Sequence, residues 1–239
     1  MQHLTLLFTK DGLQYQSTQG KNVVDEASFF VDETSPKEFI LNQLNTILAL
    51  PNTSSVNVIS ALNHFTMMPE GFSQHELAYD LISYNAPVDR HTEEVMLSLN
   101  KKYQVQFYYT LPKHYYQSIK QAFPNTHFNF SGEQFLNRLS TQGKKEIHIN
   151  LYHHQCEFFA LNQGKVVLYN NLDINSEVDF LYFIMFTLSK IGFGLAETRF
   201  FVYGETTEND TFISELNKFV GQMKVVFDNL HKKNFIMMK

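Results

Sequence analysis

The chain reads as an α/β protein in which one structural unit is used twice, and three observations lead there. Both ends of the chain follow the same order: strand, turn, strand, turn, strand, capped helix, strand, from residue 4 and again from residue 147. The second turn carries nearly the same tetrapeptide in each half, "TQGK" at 18–21 and "NQGK" at 162–165. The spacings after it also agree. Gly20 is followed 15 residues later by Ser35 and 36 later by Val56, and Gly164 is followed 12 later by Ser176 and 34 later by Thr198. A βββαβ unit of this size buries one sheet face under its helix, and two in tandem imply an internally duplicated fold with lobes near 1–145 and 146–239.

The elements follow from periodicity and caps. Runs rich in β-branched and aromatic residues predict strands at 4–8, 13–17, 22–31, 56–61, 103–110, 126–130, 147–152, 156–161, 165–171 and 198–203, with a further one at 234–238. Ser35-Pro36-Lys37-Glu38 combines a capping serine, a first-turn proline and a glutamate placed to reach back, which predicts a helix over 36–49. The same logic marks helix starts at Ser73, Ser131 and Ser176, the last opening a helix over 177–191 that buries Phe180, Leu181, Ile184, Leu188 and Ile191. Pro112 opens another helix, and Thr207-Glu208-Asn209-Asp210 caps one over 208–220. Gly143, in a third "QGK", reads as a helix C-cap. Residues 64–100 exceed what the second half holds at the same point, so they read as an insertion, with "PVDRHTEE" (87–94) a loop entering a short helix.

Composition narrows the function classes. With 239 residues, 44% hydrophobic, the chain can bury a large core. A net charge of −5 gives no general attraction to nucleic acid or anionic membrane, so neither partner is expected. The longest apolar run, "FLYFIMFTL" at 180–188, is too short to cross a bilayer, and the amino terminus lacks the pattern of a secretory signal. The single cysteine, Cys156, has no internal disulfide partner and fits a reducing compartment, so a cytoplasmic location is expected.

The repeated order resembles the actin-like ATPase superfamily of sugar kinases, actin and chaperone ATPase domains. The resemblance implies a duplicated ribonuclease-H-like (actin-like ATPase) fold, two lobes around a cleft that clasps a nucleotide. More narrowly, "FTMMPEGF" (65–72), "FFALNQGKVVLYNN" (158–171), "SEVDFLYFIMFTLSKIG" (176–192) and "FFVYGE" (200–205) resemble an uncharacterised bacterial family with this fold. That family is similar in architecture to cytoplasmic platform proteins of type IV pili and type II secretion.

In nucleotide-binding members of the superfamily an Asp-x-Gly turn follows the first apolar strand of the second half. Here the resemblance places Asn150 where the aspartate belongs and Tyr152 where the glycine belongs. Asparagine offers a neutral carbonyl where magnesium needs a charged hard oxygen, and tyrosine fills space that phosphate needs. The first half has only Asp11-Gly12, a common hairpin dipeptide. The adenosine loop's glycine pair becomes Gly204-Glu205, adding a negative charge that repels phosphate. No cofactor and no catalytic residue are therefore expected, and the leading expectation is a noncatalytic module holding a protein or peptide partner. The alternative is an ATP-binding or sugar-kinase-like enzyme in which Asp173, Asp179 or Glu205 supplies the missing carboxylate.

Other groupings have simpler readings. His148, His153, His154 and Cys156 crowd one hairpin, but alternation puts Ile147, Ile149 and Leu151 on one face and His148 and Asn150 on the other. The histidines then occupy a polar strand face and a turn rather than a zinc site, which needs three or four convergent ligands. Glu205, Glu208 and Asp210 read as helix capping rather than paired catalytic carboxylates. Tyr115-Tyr116, within an aromatic-rich stretch at 103–123, stays open between core packing and a partner surface.

Overall fold

The structure, a computed structural model, describes residues 1–204, 210–226 and 235–237. The chain divides into two compact units, Met1–Gln134 and Phe135–Met238.

The first unit begins with three antiparallel strands, β1 (Gln2–Thr9), β2 (Gly12–Gln19) and β3 (Asn22–Phe30), then α1 (Phe39–Leu48) and β4 (Thr53–Ser60), which pairs parallel to β1. Alternation sorts the side chains. Leu4, Leu6 and Phe8 of β1, Leu13 and Tyr15 of β2 and Val56 and Val58 of β4 turn to one face, where Ile40, Leu44, Ile47 and Leu48 of α1 cover them. A second, three-stranded antiparallel sheet follows, made of β5 (Phe65–Pro69), β6 (Glu93–Asn100) and β7 (Val105–Pro112) in the order β5-β7-β6. The short helix α2 (Ala78–Ser83) lies between β5 and β6 in the chain and packs Ala78 and Ile82 on Tyr108. Then come α3 (Lys113–Ala122), β8 (His127–Phe130) and α4 (Ser131–Arg138). The main sheet has the order β3-β2-β1-β4-β8.

The second unit repeats the pattern with β9 (Glu146–Leu151), β10 (Gln155–Asn162), β11 (Lys165–Asp173), α5 (Glu177–Ile191), β12 (Arg199–Gly204), α6 (Asp210–Asn217) and β13 (Met223–Val225). Its strand order, β11-β10-β9-β12-β13, matches that of the first sheet position by position. The two matching turns solve the same hairpin differently. The first loop is Gly20–Lys21, with positive φ (62°) at Gly20, whereas the second is Gln163–Gly164, with φ of 51° and 76°, the paired positive values of a type I′ turn. Phe180, Ile184 and Leu188 of α5 close the core formed by Ile147, Ile149, Leu151, Cys156, Phe158, Phe200 and Val202.

Several expectations need correction. Ser35 does not cap α1, which starts at Phe39 with Glu38 at its N-cap and no side-chain cap. The Ser35 hydroxyl is engaged upstream, donating to Asp32 Oδ1 at 2.9 Å while its oxygen accepts from the Asp32 N–H at 3.0 Å. Ser73 likewise caps no helix: the 3₁₀ turn His75–Leu77, whose N-cap residue is Gln74, leads directly into α2 at Ala78. Ser176 does cap α5, accepting the Asp179 N–H at 3.2 Å. The residues after "PVDRHTEE" form β6 rather than a helix, because Glu93 is drawn into the sheet by His64 Nδ1 at 2.8 Å and the Thr110 hydroxyl. β5 and β13 were not expected as strands, and Phe235–Met237 forms a 3₁₀ turn where a strand was expected. Gly143 has positive φ (75°) but lies in a bend well past Arg138, the last residue of α4, so it is not that helix's C-cap. Glu205, Glu208 and the start of the expected 208–220 helix fall outside the described residues.

Candidate functional site

The second sheet has an unusual second face. On β9 and β10 every residue from Glu146 to Leu151 and from Gln155 to Leu161 is buried, including those that alternate away from the apolar core. Five of those residues are polar, Glu146, His148, Asn150, Gln155 and Glu157, each with 0% exposure, and Phe159 and Leu161 complete the face. A buried carboxylate or amide is tolerated only when its hydrogen-bonding capacity is met, so the face must be satisfied from within.

Glu157 is the hub. Register sets it opposite Asn150 on β9 and opposite Asn171 on β11. Its Oε1 accepts from Asn150 Nδ2 at 2.8 Å and from the Tyr152 hydroxyl at 2.5 Å, and its Oε2 accepts from the Tyr169 hydroxyl at 2.8 Å. Beside it Gln155 Nε2 donates to Asn171 Oδ1 at 2.7 Å. Tyr152 lies just past β9, where its N–H closes the hairpin on the Gln155 carbonyl at 2.8 Å. Asn150 Oδ1 is buried with no hydrogen-bond partner among the described residues. Asn150 and Tyr152, read from the sequence as displaced phosphate-loop positions, are thus brought together on one carboxylate.

The rest of the face is built by stacking. His148 lies over Phe201 with ring centroids 4.7 Å apart and 10° between planes, and its Nδ1 meets the Tyr203 hydroxyl at 3.1 Å. Burial pulls its pKa down to about 4. At neutral pH the ring is therefore uncharged, and its 3.4 Å approach to Glu146 Oε2 is not an ion pair. The other Glu146 oxygen accepts the Gln142 N–H at 2.8 Å.

The remaining candidates separate. Cys156 points to the opposite face, in the apolar core with Phe158 and Ala160, where burial pushes its thiol pKa up. His153 and His154 stay in the turn with their rings 3.9 Å apart. Among the described residues no group of three or more His, Cys, Asp or Glu side chains is arranged to hold a metal ion. Gly204 ends β12 opposite Leu151 with φ of 100°, and a Cβ there would stand 2.2 Å from the Leu151 carbonyl oxygen. The close approach of β9 thus requires this glycine without any nucleotide. Glu205 lies outside the described residues. Asp179 belongs to α5, which covers the apolar face, so it is not brought to Asn150, whereas Asp173 pairs with Gln155 at the end of β11 and shares the polar face. In the first unit Asp11 lies in the β1–β2 turn, and Gly12 opens β2 opposite Thr9. Tyr115 stacks on Phe8 at 5.1 Å and Tyr116 on Phe128 at 5.0 Å, which makes the tyrosine pair part of the first unit's core packing.

Glu157 itself was not singled out from the sequence. The signal was present in "QCEFFA", where Gln155 and Glu157 alternate with Cys156 and Phe158, but alternation does not say that the polar side is closed to water. The three-stranded sheet adds a feature that the sequence did not reveal. A pocket of about 520 Å³ is lined by Tyr79, Arg90, Tyr108 and four consecutive residues of β6, Glu94 to Leu97. Successive strand residues point to opposite faces, so a pocket touching all four runs along the strand's edge, and β6 is an edge strand.

The duplicated strand order and its buried central faces define an actin-like ATPase fold. The chain resembles a crystal structure from Bacteroides thetaiotaomicron VPI-5482, a protein with actin-like ATPase fold and unknown function, at 20% identity over 99% of this chain and 93% of that one, with a TM-score of 0.79. It is also similar to the PilM–PilN type IV pilus biogenesis complex, at 11% identity over 100% of this chain and 94% of that one, with a TM-score of 0.55. A third likeness is to the cytoplasmic domain of EpsL, an inner membrane component of the type II secretion system of Vibrio cholerae, at 6% identity over 100% and 93% of the two chains and a TM-score of 0.50. No curated protein matches the sequence. Residues 1–223 match the family described as Protein of unknown function (DUF3822), and the chain belongs to that family. No described helix is long and apolar enough to cross a membrane.

Proposed function

We propose that this protein is a noncatalytic interaction module on an actin-like ATPase framework. The observation that carries the reading is Glu157. Asn150, Tyr152 and Tyr169 donate to its buried carboxylate, so the donors on this face are committed to an anion that the chain itself supplies. A triphosphate brought to the same face would meet that negative charge without intervening water, and Asn150 offers no charge to hold magnesium.

A protein partner is the remaining use of the framework, and one relative supports it: PilM is known in complex with PilN. Within this chain the β6 edge and its pocket suit an extended peptide. Such a segment adds as a strand to the β6 edge beyond Glu93, whose carbonyl already accepts the Tyr79 hydroxyl at 2.9 Å, and places a side chain against Tyr79 and Tyr108.

Isothermal calorimetry with Mg-ATP on the full chain at pH 7 tests the reading. We expect no saturable heat up to about 1 mM nucleotide, a concentration at which any working ATP site would be occupied. Submillimolar binding that Asp173→Asn abolishes would instead support the ATP-binding alternative, because Asp173 is the described carboxylate of that alternative on the polar face.

A further inference from the structure

The outer face of α5 is apolar, and the first unit contains an internal control for it. α1 and α5 hold the same place in their units, each following the third strand and preceding the strand that pairs parallel to the first. α1 presents Asn42, Asn45 and Thr46 to water. α5 presents Val178, Tyr182 and Phe186, which are 74%, 59% and 48% exposed. These three recur every fourth residue and form one stripe along the helix. They lie on the side away from Phe180, Ile184 and Leu188, which fill the core. A helix that is apolar on all sides is expected inside a protein or inside an assembly. The stripe is also ordered, since Tyr182 and Phe186 stack with centroids 5.7 Å apart and Lys190 Nζ sits 5.1 Å over the Phe186 ring.

We infer that this stripe is the interface of a homodimer in which α5 packs antiparallel against α5 of a second copy. The charges at the helix ends select that occupant. Asp179 lies in the first turn, on the same flank of the stripe as Lys190 in the last, whereas Glu177 turns toward α6, so an antiparallel pair brings each Lys190 to the other copy's Asp179. A parallel pair would set like charges together. In the antiparallel register Tyr182 of one copy meets Phe186 of the other, twice, and the isologous contact closes on itself without propagating into a filament. The inference stands apart from the nucleotide reading: Mg-ATP binding would leave it intact, and loss of the dimer would leave the Glu157 argument intact.

Sedimentation velocity on the full chain, from micromolar to about 1 mM, tests it. The wild type is expected to dimerise reversibly. Phe186→Asp, Lys190→Glu and Asp179→Lys should each weaken association at least ~10-fold, a loss of about 1.4 kcal/mol at this temperature. The double variant Asp179→Lys/Lys190→Glu should return it to within a few-fold of wild type. Phe186 and Lys190 are exposed and Asp179 is partly so, and a cooperative thermal melt will show that each variant is folded. Asn42→Asp, on the matching face of α1, should leave association unchanged. A chain that stays monomeric throughout, including one whose stripe captures a different protein, overturns the inference. So does a dimer indifferent to the α5 variants, or a charge swap that fails to restore it.

Discussion

Glu157 accepts hydrogen bonds from three side chains where water is excluded, and each donor can be removed separately. Tyr169→Phe removes one donor and should cost about 1–3 kcal/mol in urea unfolding, as for a hydrogen bond to a charged group. Glu157→Leu leaves Asn150, Tyr152 and Tyr169 facing an apolar side chain and should cost more, about 3–5 kcal/mol. If both changes were neutral, the carboxylate would not be the organising group. His148 gives a second handle. Burial among Phe201, Tyr203 and Glu146 holds its pKa near 4, below the ordinary 6.5, so the unfolded chain takes up a proton first as pH falls. Its contribution is therefore complete above about pH 6.5 and is lost on descending towards pH 4, by roughly 3 kcal/mol if the full shift is realised. Unfolding curves across that range should show the slope in the wild type and a shallower one in His148→Phe. Asn150 and Tyr152 drew notice in the sequence because the resemblance sets an amide and a phenol where magnesium and phosphate ligands are expected. Glu157 did not, because its role depends on Asn150 and Tyr152 at the end of β9 and Tyr169 on β11, partners drawn from two other strands.

At the scale of elements, the sequence revealed strands through alternation and helices through caps, and it failed where two local signals competed. Ser35 and Ser176 both precede a proper helical pattern, yet only Ser176 accepts a helix N–H, because Asp32 gathers Thr34 and Ser35 into its own turn first. Ser176→Ala should therefore lower stability by about 1 kcal/mol, the usual cost of a lost cap. Ser35→Ala should cost less than ~0.5 kcal/mol, the range of an ordinary exposed site. Equal losses at the two positions would contradict the assignment. β6 was missed for a similar reason. "PVDRHTEE" contains helix-start residues, but Asp89 accepts the His91 N–H at 2.8 Å to form a turn, and the alternating residues that follow pair with β7. α5 was legible as a helix and as a core element. Its exposed stripe was not, since a helix apolar all round gives no sign of which side the core leaves open.

For the molecule as a whole, duplication was the strongest signal in the sequence and is fully realised: each unit carries a five-stranded sheet in the same order, joined in the same sequence. Such an order is dictated locally, by hairpins that fix antiparallel neighbours and helices that fix parallel ones, which is why element spacing sufficed to read it. The burial of a polar sheet face depends on what the finished fold packs over it, and no spacing records that. The central claim is that the chain's own carboxylate occupies the electrostatic role of a nucleotide phosphate. The most direct test is a crystal structure of the full chain grown with saturating Mg-ADP. The account predicts that Glu157 keeps Asn150, Tyr152 and Tyr169 at hydrogen-bond distance with no nucleotide on that face. A diphosphate and metal ion bound against Asn150 and Tyr152, with the Glu157 contacts broken, would contradict it.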